Sequence, residues 1–184
     1  MAKKGSWYFE GYEAHYEIDE QGRKKKVLTY VGQRYGLRNR EDLFRVRVMA
    51  AVDVVLMTAI LLLINFFPGT GGMVGWVGAP CLWGLIPLMF LYMGLFNFLT
   101  CKDRWEIRQF YAGYRRMGRW AIVQLVIMGY VTAAHIVFLC LYPTCFPGEL
   151  YYTLGAAACA ALSAGLLAMK KKFPAIVVEG PVIR

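Results

Sequence analysis

The sequence predicts an all-α integral membrane protein, a four-transmembrane-helix bundle with a small cytoplasmic β-hairpin. Three observations predict it. Hydrophobic residues make up 58% of the 184 residues, the mean hydropathy is +0.42, and residues 54–101, 120–148 and 150–169 contain no Asp, Glu, Lys or Arg. A soluble domain has about one charged residue in four, spread along the chain. The composition therefore excludes a soluble globular protein, a disordered chain and a disulfide-stapled secreted miniprotein.

The lengths of the uncharged stretches predict four helices that cross the membrane. One crossing takes about 20 apolar residues in a helix. The first stretch is long enough for two crossings, separated by a glycine-rich turn, and the other two stretches allow one each. A β-barrel is excluded, because it would show alternating segments of about ten residues rather than continuous apolar runs. The predicted spans are about 48–67, 75–99, 120–142 and 150–169.

The distribution of Lys and Arg predicts the orientation. All 21 of these residues lie in 1–48, 100–119 or 170–184, and the loops at 68–74 and 143–149 have none. Because cytoplasmic loops carry the excess of Lys and Arg, we expect cytoplasmic termini and a location in the plasma membrane. The net charge of +9 then attracts anionic lipid headgroups, and we expect no nucleic-acid partner. We expect no cleavable signal peptide, since about 48 polar residues precede the first apolar run.

Residues 1–47 form a predicted cytoplasmic N-terminal region that contains a β-hairpin at about 7–35. Apolar and polar residues alternate in 12–18, turn-forming residues follow at 19–22, and a β-branched and aromatic run resumes at 27–31. This pattern is typical of two antiparallel strands joined by a short turn.

Two further segments flank the transmembrane domain, which extends over 48–169. Charged and apolar residues are mixed in 38–47, which predicts an interfacial helix that leads into the first span. The cytoplasmic tail, 170–184, contains the strand-like segment 175–178. This segment is a candidate third strand for the hairpin, since two strands alone are marginally stable in water.

The loop between the second and third spans combines aromatic rings with basic side chains. Amphipathic rings and long basic side chains are typical of the membrane surface. Interfacial anchoring is one interpretation, and a face that binds lipid or a partner protein is the other. The residues of this candidate face are Trp105, Arg108, Tyr111, Arg115 and Arg116.

Ionisable residues inside a span are costly and are therefore candidates for function. Asp53 lies near the cytoplasmic end of the first span. We expect it to form an ion pair with Arg45, Arg47 or Arg119, and a proton or cation site is the alternative.

His135 is the other ionisable residue within a predicted span. We interpret it as a hydrogen-bonded packing residue, with Thr132 or a neighbouring backbone carbonyl as the candidate partner, and a metal or proton role is the alternative. If the protein were a transporter, Gln124, Asn65 and Asn97 would join Asp53 and His135 as pathway candidates.

Three of the five cysteines, Cys81, Cys140 and Cys145, lie at the predicted outer ends of spans. Oxidation is permitted outside the membrane, so Cys140–Cys145 and Cys81–Cys145 are candidate disulfides. The Cys-x-x-Cys motif of thiol–disulfide enzymes is absent. No pair of ligands has a standard metal spacing, and we expect no catalytic residue, metal or cofactor.

The fourth span has a face of small residues, Gly155, Cys159 and Ser163, at intervals of four. Such faces let helix backbones approach closely. Packing within the bundle is one interpretation, and formation of a homo-oligomer is the other.

The interior thus offers little chemistry, whereas the cytoplasmic surface is rich in features. We expect a non-catalytic accessory or assembly protein that binds a partner or anionic lipid through its basic aromatic face. A subunit of a small-solute or ion transporter or channel is the first alternative. An outward-facing thiol–disulfide enzyme is the second.

Overall fold

The computed structural model describes residues 12–18, 24–39, 41–67 and 69–180. The architecture is the predicted helical membrane bundle with small two-stranded sheets. Four helical segments are long and apolar enough to cross a membrane, in agreement with the sequence. They are Asp42–Phe66, Gly75–Thr100, Ile107–Leu141 and Gly148–Lys172.

The elements are numbered in chain order. The helices are α1 (Asp42–Phe66), α2 (Gly69–Met73), α3 (Gly75–Trp83), α4 (Leu85–Thr100), α5 (Ile107–Phe110), α6 (Arg116–Leu141) and α7 (Phe146–Lys172). A π-helical turn, Tyr111–Arg115, joins α5 to α6, and a 3-10 turn, Pro143–Cys145, precedes α7. The strands are β1 (Tyr12–Ile18), β2 (Lys24–Tyr30), β3 (Arg34–Leu37) and β4 (Ala175–Glu179).

The first helix begins earlier than its predicted span, because its core-facing stripe extends into the basic segment. Leu43, Val46 and Ala50 are buried at intervals of three and four residues, which places them on one face of a helix. The segment predicted as an interfacial helix leading into the first span, at about 38–47, is helical from Asp42 onward and is continuous with the span in α1.

The third crossing helix also begins earlier than residue 120. Helical structure starts at Ile107 and continues through the π-helical turn into α6. Gly113 in this turn lies against α4, where an added Cβ would be 3.1 Å from the backbone nitrogen of Phe98. Much of the segment predicted as a loop is thus the end of a long helix.

The second crossing segment consists of two helices separated at Gly84. Pro80 lies inside α3 and has no N–H to donate to the carbonyl of Trp76, four residues earlier. The hydroxyl of Tyr130 on α6 donates to that carbonyl over 3.4 Å. A side chain from the neighbouring helix therefore supplies the bond that the proline removes.

The small face of α7 packs against α1 inside the bundle, as one of the two interpretations predicts. Cys159 and Ser163 are fully buried. The thiol of Cys159 lies 3.7 Å from the carbonyl oxygen of Met57, and an added Cβ at Gly155 would lie 2.6 Å from Cγ2 of Ile64. The absence of large side chains thus permits close contact between the two helices.

The strand-like tail forms β4, but it does not extend the hairpin. β4 pairs with β3 in an antiparallel ladder with Ala175 opposite Leu37, whereas β1 and β2 form a separate sheet. The predicted third strand of the hairpin is therefore wrong, because β4 follows α7 directly and lies beside the chain that enters α1. The hairpin turn at 19–23 and residues 181–184 lie outside the described residues.

A backbone contact at the opposite end of the bundle gives a testable consequence. A Cβ on Gly78 would overlap the carbonyl oxygen of Gly72, whereas a Cβ on Gly75 would meet nothing within 4 Å. We expect Gly78→Ala to lower the unfolding free energy by roughly 1–3 kcal/mol, the range of overpacking costs, because the clash is with backbone that must shift. Thermal unfolding in mild detergent measures the effect, with Gly75→Ala as the matched control. Equal stability of the two variants would contradict the contact.

Candidate functional site

Asp53 is half-buried beside α7, where its Oδ2 would lie 3.7 Å from an added Cβ on Gly165. Among the described residues its carboxylate has neither a hydrogen bond nor an ion pair. The predicted ion pair with Arg45, Arg47 or Arg119 is therefore wrong for the described part of the chain. Asp53 is an isolated carboxylate on the flank of α1.

Arg47 satisfies the end of α4 instead of pairing with Asp53. Its guanidinium donates over 3.2 Å to the carbonyl of Phe98 and also donates to the carbonyl of Cys101. The last carbonyls of a helix have no partner within it, so this arginine caps α4. The contact fixes the start of the 101–106 segment relative to α1.

His135 is fully buried and lies next to an acidic residue. Its Nδ1 is 2.6 Å from the hydroxyl of Thr153, and its Nε2 is 3.4 Å from Oε2 of Glu149. Thr132, the partner expected from the sequence, donates to the carbonyl of Met128. The expected hydrogen bond of His135 therefore exists, but its partner is a threonine of α7.

The glycine-rich α2 covers this pair. The backbone N–H of Thr70 donates to Oε1 of Glu149. A Cβ on Gly71 would overlap Nε2 of His135, and Gly69 has a φ of 61°, which favours glycine. The glycines of the predicted turn are thus required because the turn lies directly on two buried polar side chains.

Sequence analysis did not identify Glu149 as a partner of His135. One feature of the sequence indicates that Glu149 is unusual: it is the only Asp, Glu, Lys or Arg between 120 and 169. Glu149 lies in the first turn of α7 and is 5% exposed. Its burial depends on α2, which is distant in sequence.

The remaining pathway candidates do not line a channel. Gln124 is fully buried, and neither of its side-chain polar atoms has a partner within the described part of the chain. The amides of Asn65 and Asn97 donate to the carbonyls four residues earlier in their own helices. With His135 and Gln124 at 0% exposure, water has no access to either side chain.

All five cysteines are free, so neither candidate disulfide forms. Cys81 is buried, while Cys140 is exposed. Burial raises the pKa of the Cys101 thiol, although nearby Arg47 opposes the change. Because the thiolate is the reactive form, Cys101 is not activated. The described residues contain no group of three His, Cys, Asp or Glu that could hold a metal ion.

At the basic end of the bundle, formed by 24–39, 101–106 and 170–180, Trp105 belongs to a buried aromatic core rather than to the membrane surface where the sequence placed it. Trp105 is 1% exposed, and its ring centroid lies 5.5 Å from that of Phe98 and 5.7 Å from that of Tyr114. Backbone bonds of 2.8 and 2.7 Å join Trp105 to Tyr35. The placement of Trp105 on a binding face is therefore wrong, since its backbone pairing with β3 draws the indole inward.

The other residues of the candidate face remain at the surface. Arg108 is exposed, and Tyr111, Arg115 and Arg116 are half-buried. The guanidinium of Arg115 lies 4.5 Å from the centroid of the Tyr111 ring, a cation–π geometry. They lie along α5 and its continuation into α6.

The hairpin is attached to the same end. The hydroxyl of Tyr12 donates to Glu106, and the hydroxyl of Tyr30 accepts from the N–H of Ile107 over 3.1 Å. Burial, followed by the bond to Glu106, raises the pKa of Tyr12 to about 12. Tyr12 therefore stays a neutral hydrogen-bond donor at physiological pH, and the hairpin is held against the start of α5.

A polar cavity of about 600 Å³ opens between β3 and the start of α5. Three cations and two carboxylates line it, which gives a net positive charge at neutral pH. Sequence analysis missed it, because β3 comes from the N-terminal region and the other residues come from the 101–109 segment. The lining residues are Arg34, Lys102, Asp103, Arg104, Glu106 and Gln109.

Comparisons with known proteins add no functional information about either end of the bundle. No protein-family model, no curated protein and no solved structure matches this chain.

Proposed function

We propose that this chain is a non-catalytic accessory protein of the plasma membrane that binds an acidic segment of a partner protein at its cytoplasmic end. The observation that supports the proposal most is the cavity of about 600 Å³ lined by Arg34, Lys102 and Arg104. The positive-inside rule assigns this end to the cytoplasm. An acidic segment offers carboxylates, which arginine binds through paired hydrogen bonds.

The rigidity of the basic end supports the same proposal. Trp105 joins the 101–106 segment to β3, Tyr12 attaches the hairpin to Glu106, and Arg47 caps α4. A binding face held by such contacts loses little freedom on association, which lowers the entropic cost of binding. Interfacial anchoring alone does not require a folded cap.

The burial of the interior polar residues argues against the two alternatives. A transport pathway needs a route for solute, whereas His135 and Gln124 are fully buried. A thiol–disulfide enzyme needs two cysteines that can form a disulfide, and the two candidate pairs, Cys140–Cys145 and Cys81–Cys145, are not joined.

Affinity capture of the tagged full-length protein from its native membranes in mild detergent tests the proposal. Lys102 is exposed, so Lys102→Glu is expected to preserve the fold, within about 0.5 kcal/mol, and to abolish capture of a partner. Lys24→Glu makes the same charge change at an exposed position of β2 that does not line the cavity, and it should retain the partner.

The partner should carry an acidic segment whose neutralisation also prevents capture. Unchanged capture by Lys102→Glu, or absence of any partner that depends on this residue, would contradict the proposal. Solute uptake into liposomes that contain the purified chain alone would instead favour the transporter alternative.

A further inference from the structure

We propose that the wedge between the start of α1 and the end of α7 is a binding site for the phosphate headgroup of an anionic phospholipid. This site is separate from the cavity assigned to the protein partner and does not depend on that assignment. It is a cavity of about 360 Å³. The residues that line it are Leu37, Arg38, Asn39, Asp42, Lys171, Lys172, Phe173 and Pro174.

The β3–β4 ladder brings the cations of this wedge together. Leu37 pairs with Ala175, so Arg38 leaves the ladder opposite the segment that arrives from α7. Lys171 and Lys172 are the last two residues of α7. All three basic side chains are exposed, and neither Arg38 nor Lys171 has an ion-pair partner within the described ranges.

The single carboxylate in the wedge does not neutralise these charges. Asp42 accepts a hydrogen bond of 3.2 Å from the side-chain amide of Asn39. Three cations against one carboxylate leave a positive site, which suits a phosphodiester. Basic pockets next to transmembrane helices are suited to anionic headgroups.

Tyr114 fixes the geometry of the wedge. Its hydroxyl lies 3.1 Å from the carbonyl oxygen of Lys170 and 2.7 Å from that of Phe173. One of the last carbonyls of α7, that of Lys170, and the carbonyl of the residue just beyond the helix are thereby satisfied. The segment that carries Lys171 and Lys172 is thus held in place before any ligand binds.

The level of the wedge along the bundle favours a lipid over a soluble anion. Phe44, in the first turn of α1, is 77% exposed, and the exposed apolar face of α1 continues with Val48. Exposed rings and chains of this kind contact acyl chains. The adjacent Asp42 turn therefore lies at headgroup depth, where a phospholipid can place its phosphate in the wedge and its acyl chains beside Phe44.

Native mass spectrometry of the full-length protein with added dioleoyl phosphatidylglycerol tests this site. We expect Arg38→Gln/Lys171→Gln/Lys172→Gln to raise the dissociation constant on the order of a hundredfold, from the contribution of each basic residue near a membrane surface. The matched control, Lys24→Gln/Arg45→Gln/Arg119→Gln, removes the same charge outside the wedge and should change the dissociation constant less than about threefold. Lys171→Gln alone should give a phosphatidylglycerol affinity between those of the wild type and the triple wedge variant.

Two further arms identify the ligand. Dioleoyl phosphatidylcholine should bind equally weakly to the wild type and to the wedge variant, since its headgroup has no net charge. Inorganic phosphate in excess should not displace phosphatidylglycerol, because it lacks acyl chains. Equal losses in the two triple variants would show diffuse attraction and overturn the proposal, and displacement by phosphate would overturn the assignment to lipid.

Discussion

Trp105→Ala is expected to lower the unfolding free energy by roughly 3–5 kcal/mol, the range for removal of a large buried aromatic side chain. The indole is 1% exposed and lies between Phe98 and Tyr114. Thermal or denaturant unfolding in mild detergent, followed by near-ultraviolet circular dichroism, measures the loss.

Trp105→Phe is the matched control for this prediction. The indole nitrogen has no hydrogen-bond partner among the described residues, so a phenyl ring loses volume but no hydrogen bond. We expect Trp105→Phe to lower the unfolding free energy by much less than Trp105→Ala does. Trp83, which is 62% exposed, provides the surface control: Trp83→Ala should cost less than about 1 kcal/mol. An unchanged unfolding free energy in Trp105→Ala would contradict the burial of this residue and would favour the position at the membrane surface that the sequence suggested.

Cys159→Leu is expected to destabilise the bundle by roughly 1–3 kcal/mol through overpacking. The thiol is fully buried and lies 3.7 Å from the carbonyl of Met57, while Ser163, one turn later, lies 3.8 Å from the sulfur of Met57. A larger side chain would separate α7 from α1. Because this face lies inside the bundle, the loss should be of folding rather than of an oligomer.

Cys159→Ala separates packing from thiol chemistry. It should leave both stability and partner capture nearly unchanged, because it removes only one weak sulfur contact. Size-exclusion chromatography and thermal unfolding together distinguish the outcomes. Dissociation of a folded oligomer by Cys159→Leu would contradict packing within the bundle, and loss of function in a stable Cys159→Ala variant would show that the thiol reacts.

The features predicted correctly from the sequence are those that depend on local composition. Four crossing helices follow from uncharged stretches about as long as the hydrocarbon core is thick. The strands of the hairpin follow from alternation, and the small face at Cys159 from a spacing of four residues. Each of these signals is contained within one element.

The features that sequence analysis missed depend on contacts between distant segments. Trp105 lies among basic residues, as an interfacial ring would, and only its backbone pairing with Tyr35 shows that it is buried. Glu149 is adjacent in space to His135 because the glycine-rich α2 folds over both residues.

The positions at which the helices begin could also not be predicted from local sequence. α1 and the third crossing helix begin before their predicted spans, because their inward faces still contact neighbours at the basic end. Buried Leu43 near the start of α1 and buried Tyr114 before α6 show this continuation. A charge-free window marks the part of a helix in lipid, but not the part that packs against a cap.

Both proposals require the basic end to face the cytoplasm, and reporter fusions test this most directly. Green fluorescent protein fused after Arg184 should fluoresce, and alkaline phosphatase inserted after Met73, which lies at the opposite end and is 78% exposed, should be active outside the membrane. Fluorescence at the C-terminus together with phosphatase activity at Met73 is the result that the charge distribution predicts. An active phosphatase after Arg184 would place the basic end outside and contradict the account.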